Sequence, residues 1–396
     1  MFAATLLLNA CNYAFHFANA RLLGPAGYGE LLALVNALTI ASFPAAVAQT
    51  IVARFTAEFA ALDEWGRIRS FSRNATAAAS LAALAVLGIG TLFRDPIAAW
   101  FRVGDAQTIE MVVLIICFNL ILMVIRGTLQ GEQSFGGLAL SYAVEGLGKA
   151  GFGIALVARG DGVHGAVTGY ALAVFASWAL GWRTLRSRSA DAAPVRLDIR
   201  RLLQAGGAIA LASGSITLLS FADMVFVKHR LVPEAAGLYG GVALIGKILL
   251  FVSAFVPLIV LPKATAETAE ERRSGALLRR AIVLTTALCA AGVAILALAP
   301  ALALRLVAGP AYVPFAPLLA PYGLAMMLLA LANVLVNYHI GAHRLSFVGP
   351  LAAVALGELV AFAAIPPGAE TFVVTVMVAN GLALCAALVP MLPLRR

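Results

Sequence analysis

Twelve stretches of this chain run for roughly 20 residues each with few or no charges, separated by short polar breaks. Their approximate spans are 2–20, 31–53, 75–93, 108–125, 138–158, 163–182, 203–227, 238–262, 281–300, 316–336, 346–365 and 371–393. An α-helix rises about 1.5 Å per residue, so about 20 residues cross the roughly 30 Å hydrocarbon core of a bilayer. No water is available there to bond exposed backbone groups, so such apolar runs must be helical. The pattern predicts an all-α polytopic membrane protein with twelve transmembrane helices.

The breaks between spans repeat in order. Arg21-Leu22-Leu23-Gly24-Pro25-Ala26-Gly27-Tyr28-Gly29 follows the first span, and Arg230-Leu231-Val232-Pro233-Glu234-Ala235-Ala236-Gly237-Leu238-Tyr239-Gly240 follows the seventh. Tyr28 and Tyr239 are half a chain apart (239 − 28 = 211). Charged connections Arg54–Arg73 and Lys263–Arg280 follow the second span of each half. Gly131–Phe135 and Gly341–Phe347 follow the fourth. Three matching breaks in one order predict an internal duplication: an N-terminal six-helix bundle at 1–182, a cytoplasmic linker at 183–202 containing Pro194, and a C-terminal six-helix bundle at 203–396. Six spans per half bring both halves into the membrane in the same sense, a parallel repeat. In transporters of this kind the substrate site forms near the bilayer midplane where the repeats meet.

Composition agrees with the pattern. Apolar residues are 62% and charged residues 12% of the chain, against roughly 45–50% and 25% in soluble proteins. The net charge of +9 is a matter of topology rather than of nucleic acid. With a cytoplasmic N-terminus, nineteen Lys/Arg fall on the cytoplasmic side, seven on the other, and Lys149 and Lys247 lie within spans. An excess of Lys/Arg in short cytoplasmic loops sets orientation, so both termini are expected in the cytoplasm. Ala18-Asn19-Ala20 has the form of a signal-peptidase site, but no basic region precedes it, so residues 2–20 are read as a retained helix. Cys11, Cys117, Cys289 and Cys385 all lie in spans without metal-site spacing, so no metal and no cofactor is expected.

The "RLLGPAGYGE" break, the "EAAGLYG" break and the 6+6 layout resemble the Wzx-like polysaccharide flippases of the multidrug/oligosaccharidyl-lipid/polysaccharide (MOP) exporter superfamily. The resemblance spans essentially the whole chain and rests on loop and packing motifs. It implies a MATE-like fold in the bacterial plasma membrane. It also implies alternating access of two bundles that flip a polyprenyl-diphosphate-linked oligosaccharide to the outer leaflet for surface polysaccharides such as the O-antigen of lipopolysaccharide. The partners it implies are the lipid-linked oligosaccharide, the bilayer, and a glycan polymerase or export machinery.

Ionisable groups at membrane depth are costly and default to function. Five lie there: Glu145, Lys149, Asp223, Lys247 and Glu358. Glu145 and Lys149 are spaced i, i+4 with the acid first, which favours an intrahelical pair. The alternative has Lys149 facing the central cavity as a phosphate contact. Lys247 shifted by 211 falls on Asn36, so both halves place a polar group at one depth of their second helix. Lys247 and Asn36 are therefore expected to line the cavity, with a pairing of Lys247 to Asp223 or Glu358 as the other reading. Asp223 lies near the outer end of its span beside Lys228 and Arg230, where a rim ion pair is expected. Coupling of a proton or cation is the other role open to Asp223 and Glu358. Arg54 and Arg126, at cytoplasmic helix ends, are either ordinary anchors or entry contacts for a diphosphate, whose oxygens suit arginine's planar fork. The five core charges sum to −1, whereas an anionic headgroup calls for a cationic cavity.

Two other functions compete. A MATE-like cation-coupled drug exporter would use the acidic core. An integral-membrane polyprenyl-dependent glycosyltransferase or polymerase would carry catalytic carboxylates in a sizeable external loop. The longest external connection, Arg94 to Gln107, holds Asp95 and Asp105 but no adjacent acidic pair, and no catalytic motif appears elsewhere. A transporter, not an enzyme, is the expected reading.

Overall fold

The computed structural model describes residues 2–186, 199–253 and 271–391. Fourteen α-helices account for almost all of them, in the order α1 (Phe2–Ala41), α2 (Phe43–Ala61), α3 (Trp65–Leu92), α4 (Arg94–Phe101), α5 (Gln107–Gly131), α6 (Phe135–Ala158), α7 (Gly162–Arg186), α8 (Ile199–Arg230), α9 (Pro233–Ser253), α10 (Glu271–Leu298), α11 (Pro300–Val307), α12 (Leu319–Gly341), α13 (Val348–Ala364) and α14 (Ala369–Leu388). Two short 3₁₀ segments, Pro310–Leu318 and Val389–Met391, complete the described chain, which contains no strand. The protein is an all-α polytopic membrane protein.

The described parts of all twelve expected spans fall on helical segments, while 254–262 of the eighth and 392–393 of the twelfth lie outside the described residues. Eight described helices are long and apolar enough to cross a membrane, or nine with the bent pair α1–α2. Helix α6 is not among them because Glu145, Lys149 and its glycines lower its hydropathy, and α13 is short at 17 residues. The remaining crossing is hidden inside α1, whose 40 residues would extend about 60 Å, twice the hydrocarbon thickness. Gly24 breaks it at φ 66° and ψ −179°, a conformation that glycine adopts at no steric cost, and Pro25 follows with no N–H to continue the ladder. The chain folds back there: the Tyr28 hydroxyl lies 3.3 Å from His16 Nδ1, twelve residues earlier. Twelve residues of straight helix would separate them by about 18 Å.

Two expectations are corrected by these elements. The Arg21–Gly29 stretch is not a loop but helix on both sides of a one-residue break. The second expected span, 31–53, is interrupted at Ser42, where Pro44 opens α2 and the two helices bend by 40°. The Arg94–Gln107 connection is mostly the short helix α4, and α11 recurs after the third long helix of the second half.

The chain divides into two compact units, Met1–Gly207 and Ala208–Arg396. Most of the expected linker, 187–198, and the stretch 254–270 with Lys263 lie outside the described residues, as do Arg395 and Arg396. Within the first unit α6 packs along α7 and α1, and α5 packs against α2, α3 and α7. Small residues let these backbones approach: a Cβ at Gly169 of α7 would lie 2.3 Å from the backbone nitrogen of Gly153 on α6. In the second unit α12 is central, touching α9, α10 and α14.

Candidate functional site

Each unit encloses a buried polar centre. In the first, Ser141, Glu145 and Lys149 are spaced four apart and so share one face of α6. Arg126 of α5 lies against that face, 1% exposed. Its Nε donates to Ser141 Oγ at 2.9 Å, and its Nη2 to the Ser141 carbonyl at 3.2 Å and Ser177 Oγ of α7 at 3.1 Å. The same Nη2 stands 2.7 Å from Glu145 Oε2, outside hydrogen-bond geometry, so the contact is an ion pair. The guanidinium also covers the Tyr142 ring at 4.3 Å. The expectation of Arg126 as a residue of the cytoplasmic rim is corrected: a buried charge requires a partner, and this one has a carboxylate and three oxygen acceptors. Arg54 does remain exposed, on α2.

The expected Glu145–Lys149 pair does not form, because Glu145 turns to Arg126. Lys149, 5% exposed, instead donates to Asn12 Oδ1 of α1 at 2.9 Å. Its ammonium sits over the rings of Phe15 and Tyr170 at 4.9 and 4.2 Å. These partners hold the ammonium by dipole and quadrupole, without opposite charge. Asn36, 3% exposed, lies in the second limb of α1.

The second centre is built around Asp223 of α8, 1% exposed. Its Oδ1 lies 3.2 Å from Lys247 Nζ of α9, and its Oδ2 accepts from Tyr239 at 3.0 Å and Tyr322 at 2.6 Å. Lys247 also sits 5.1 Å above the Phe221 ring. The ring of Tyr322 fits because residue 246 is glycine; a Cβ there would lie 2.3 Å from Tyr322 Cδ1. The rim pair expected for Asp223 is thereby corrected. Helix α8 runs on to Arg230, which leaves Asp223 about two turns inside, and Arg230 itself donates to the carbonyls of Ala363 and Ile365 at 2.6 and 2.7 Å. Lys247 takes the pairing the sequence left open.

Glu358 of α13, 3% exposed, has no hydrogen-bond partner on either carboxyl oxygen among the described residues. Phe226 of α8 and Phe362 of α13 meet at 5.5 Å, and both helices end together at the Arg230 clamp. Asp223 and Glu358 each lie about one turn below those rings, at the same depth. By formal charge, the first centre carries +1 (Arg126, Lys149, Glu145) and the Asp223 centre −1 (Lys247, Asp223, Glu358), and Lys228 of α8, 2% exposed, is a further buried cation of the second unit.

Residues 2–261 match the family model described as "Polysaccharide biosynthesis protein". The chain belongs to this polysaccharide biosynthesis protein family. No curated protein sequence matches it significantly. Among solved structures, the family member is similar to an inward-facing multidrug resistance MATE transporter of the MOP superfamily, with a TM-score of 0.76 at 13% identity over 97% of this chain and 92% of that one. It is similar to the lipid II flippase MurJ in an inward closed conformation, with a TM-score of 0.73 at 11% identity over 98% and 86%. A MOP superfamily transporter from Pyrococcus furiosus, described as having a binding pocket of reverse polarity, gives a TM-score of 0.55 at 14% identity over 98% and 91%. At these identities the likeness establishes the fold: this member of the polysaccharide biosynthesis family is built as MATE and MOP transporters are.

Sequence reasoning missed Asn12, Ser141, Ser177, Tyr170, Tyr239 and Tyr322. Tyr239 was in view as half of the repeated Tyr-Gly motif, and the spacing of 211 that relates Lys247 to Asn36 also relates Asp223 to Asn12.

Proposed function

We propose that this chain is a flippase that moves a polyprenyl-diphosphate-linked oligosaccharide from the inner to the outer leaflet of the bacterial plasma membrane, for surface polysaccharides such as O-antigen. Family membership and the fold shared with a lipid II flippase support a lipid-linked sugar as cargo. The observation that carries the reading is Lys149, a buried ammonium whose direct contacts, Asn12, Phe15 and Tyr170, are all neutral. Its direct contacts leave it available to a diphosphate, whereas Arg126 and Lys247 are paired with Glu145 and Asp223. Exposed Arg54 is the proposed entry contact, with Asn36 beyond it. A diphosphate and several sugars cross hydrocarbon only at prohibitive cost, since each unpaired buried polar group costs several kcal/mol. A wet cleft opened alternately to each side removes that cost without covalent chemistry, so no enzyme activity is assigned. Glu358, a buried carboxylate without a partner, is the proposed coupling residue. A glycan polymerase is the proposed neighbour in the membrane.

In a deletion strain, lipid-linked glycan is expected to accumulate at the inner leaflet. Wild-type protein should restore surface polysaccharide, and Lys149→Gln, expressed at equal level, should restore less than a tenth of it. Normal surface glycan in the deletion strain with new sensitivity to cationic dyes would establish the drug-exporter reading instead, which the −1 second centre favours. For topology, reporter fusions after Gly160 and Gly368 are expected to read external and one after Ala190 cytoplasmic. A cytoplasmic signal at Gly160 would overturn the helix count in the first half.

A further inference from the structure

The two centres are related by the repeat in a way that bears on cargo charge. Asn12 and Asp223 are equivalent, 211 positions apart like Tyr28 and Tyr239. Both stand on the first helix of their half, and both accept from a buried lysine, Asn12 at 2.9 Å from Lys149 and Asp223 at 3.2 Å from Lys247. The lysines themselves are not equivalent, since Lys149 comes from α6 and Lys247 from α9. The acceptor position is what the duplication shares; the lysine reaching it differs.

We propose that residue 12 is the specificity-determining position of the first centre, and that asparagine there keeps Lys149 open to the phosphates of an anionic lipid headgroup. This rests on the reading of Lys149 given above. Asp223 cancels the charge it holds. Asn12 orients its lysine through an amide oxygen and leaves the charge in place. The amide also brings two N–H donors beside the ammonium, where a carboxylate brings none. The one acid near Lys149 on its own helix is Glu145, four residues earlier, and Arg126 holds it. Phe15 and Tyr170 fix the ammonium from the sides without neutralising it. An aspartate at position 12 would occupy the ammonium as Asp223 occupies Lys247, and an incoming phosphate would meet a closed ion pair. A charge-assisted hydrogen bond lost in this way is a difference of roughly tenfold or more in affinity.

The test uses the purified full-length protein in nanodiscs, titrated with geranylgeranyl diphosphate, with inorganic pyrophosphate and with the neutral alcohol geranylgeraniol. Wild type is expected to bind the lipid diphosphate at least tenfold more tightly than the alcohol. Asn12→Asp should erase that preference through weaker binding of the diphosphate rather than tighter binding of the alcohol. Asn12→Ser, small and neutral, should keep most of it, which separates charge from shape. Pyrophosphate binding as tight as that of the lipid diphosphate would assign the site to free phosphates and overturn the lipid-headgroup part of the proposal. If Lys149→Gln weakens diphosphate binding and Asn12→Asp does not, the role of residue 12 is wrong and the reading of Lys149 stands. If neither substitution changes the preference, both fall.

Discussion

Replacement of Arg126 by alanine is expected to cost about 3–5 kcal/mol and to remove most of the folded protein. The side chain joins three helices: it rises from α5, bonds Ser141 and pairs with Glu145 on α6, and bonds Ser177 on α7. Alanine would remove the cation in direct contact with the buried Glu145 carboxylate, whose Oε2 already has no hydrogen-bond donor among the described residues. Breaking a buried pair costs far more than replacing it, so Arg126→Met combined with Glu145→Leu should recover much of the loss. Thermal midpoints of detergent-purified protein, followed by size-exclusion chromatography, measure both. A single variant that melts with wild type would mean that Glu145 finds water or another donor, and the network would not be structural. A single variant that folds but fails to export would return Arg126 to the cargo path.

The fold was legible because lipid leaves a chain few choices. Long apolar runs must be helices, and all twelve runs are helical where described. The repeated breaks were legible too, since glycine and proline mark them, but their form was not. One glycine at φ 66° is enough to turn the chain at residue 24, so the residues around it remain helical instead of forming the expected loop. Charge partners were the least legible feature. Four-residue spacing suggested Glu145 with Lys149, because a sequence displays local neighbours. The actual partners are Arg126, nineteen positions before Glu145, and Asn12, on another helix altogether. Asp223 was misplaced through a boundary: three more helical residues, to Arg230, moved it from the rim to the interior. The correspondence of Asn12 with Asp223 was present in the sequence throughout. An uncharged asparagine carries none of the cost that marks an ionisable group at membrane depth, so nothing in its chemistry alone sets Asn12 apart.

Substitution of Glu358 by glutamine is expected to abolish glycan export while leaving the folded protein as stable as wild type or more so. Asp223, at the same depth, receives Lys247, Tyr239 and Tyr322, while Glu358 receives no hydrogen-bond donor among the described residues although only 3% of it is exposed. One acid of this centre is saturated and the other is bare. A buried carboxylate without a partner costs free energy, and structures keep such groups mainly where function uses them. Glutamine has nearly the same shape and cannot gain or lose a proton, so it removes the titratable group without opening a cavity. If Glu358 couples transport, as proposed, the variant should fall below a tenth of wild-type surface polysaccharide at equal expression, with an unchanged or higher thermal midpoint. Asp223→Asn should behave in the opposite manner: it withdraws the counter-charge of buried Lys247 and should lower the midpoint by an amount equivalent to about 3–5 kcal/mol. Full export by Glu358→Gln would overturn the coupling role. A large drop in its midpoint would show instead that the carboxylate is held by a partner in the membrane and serves the packing of α13 against α8.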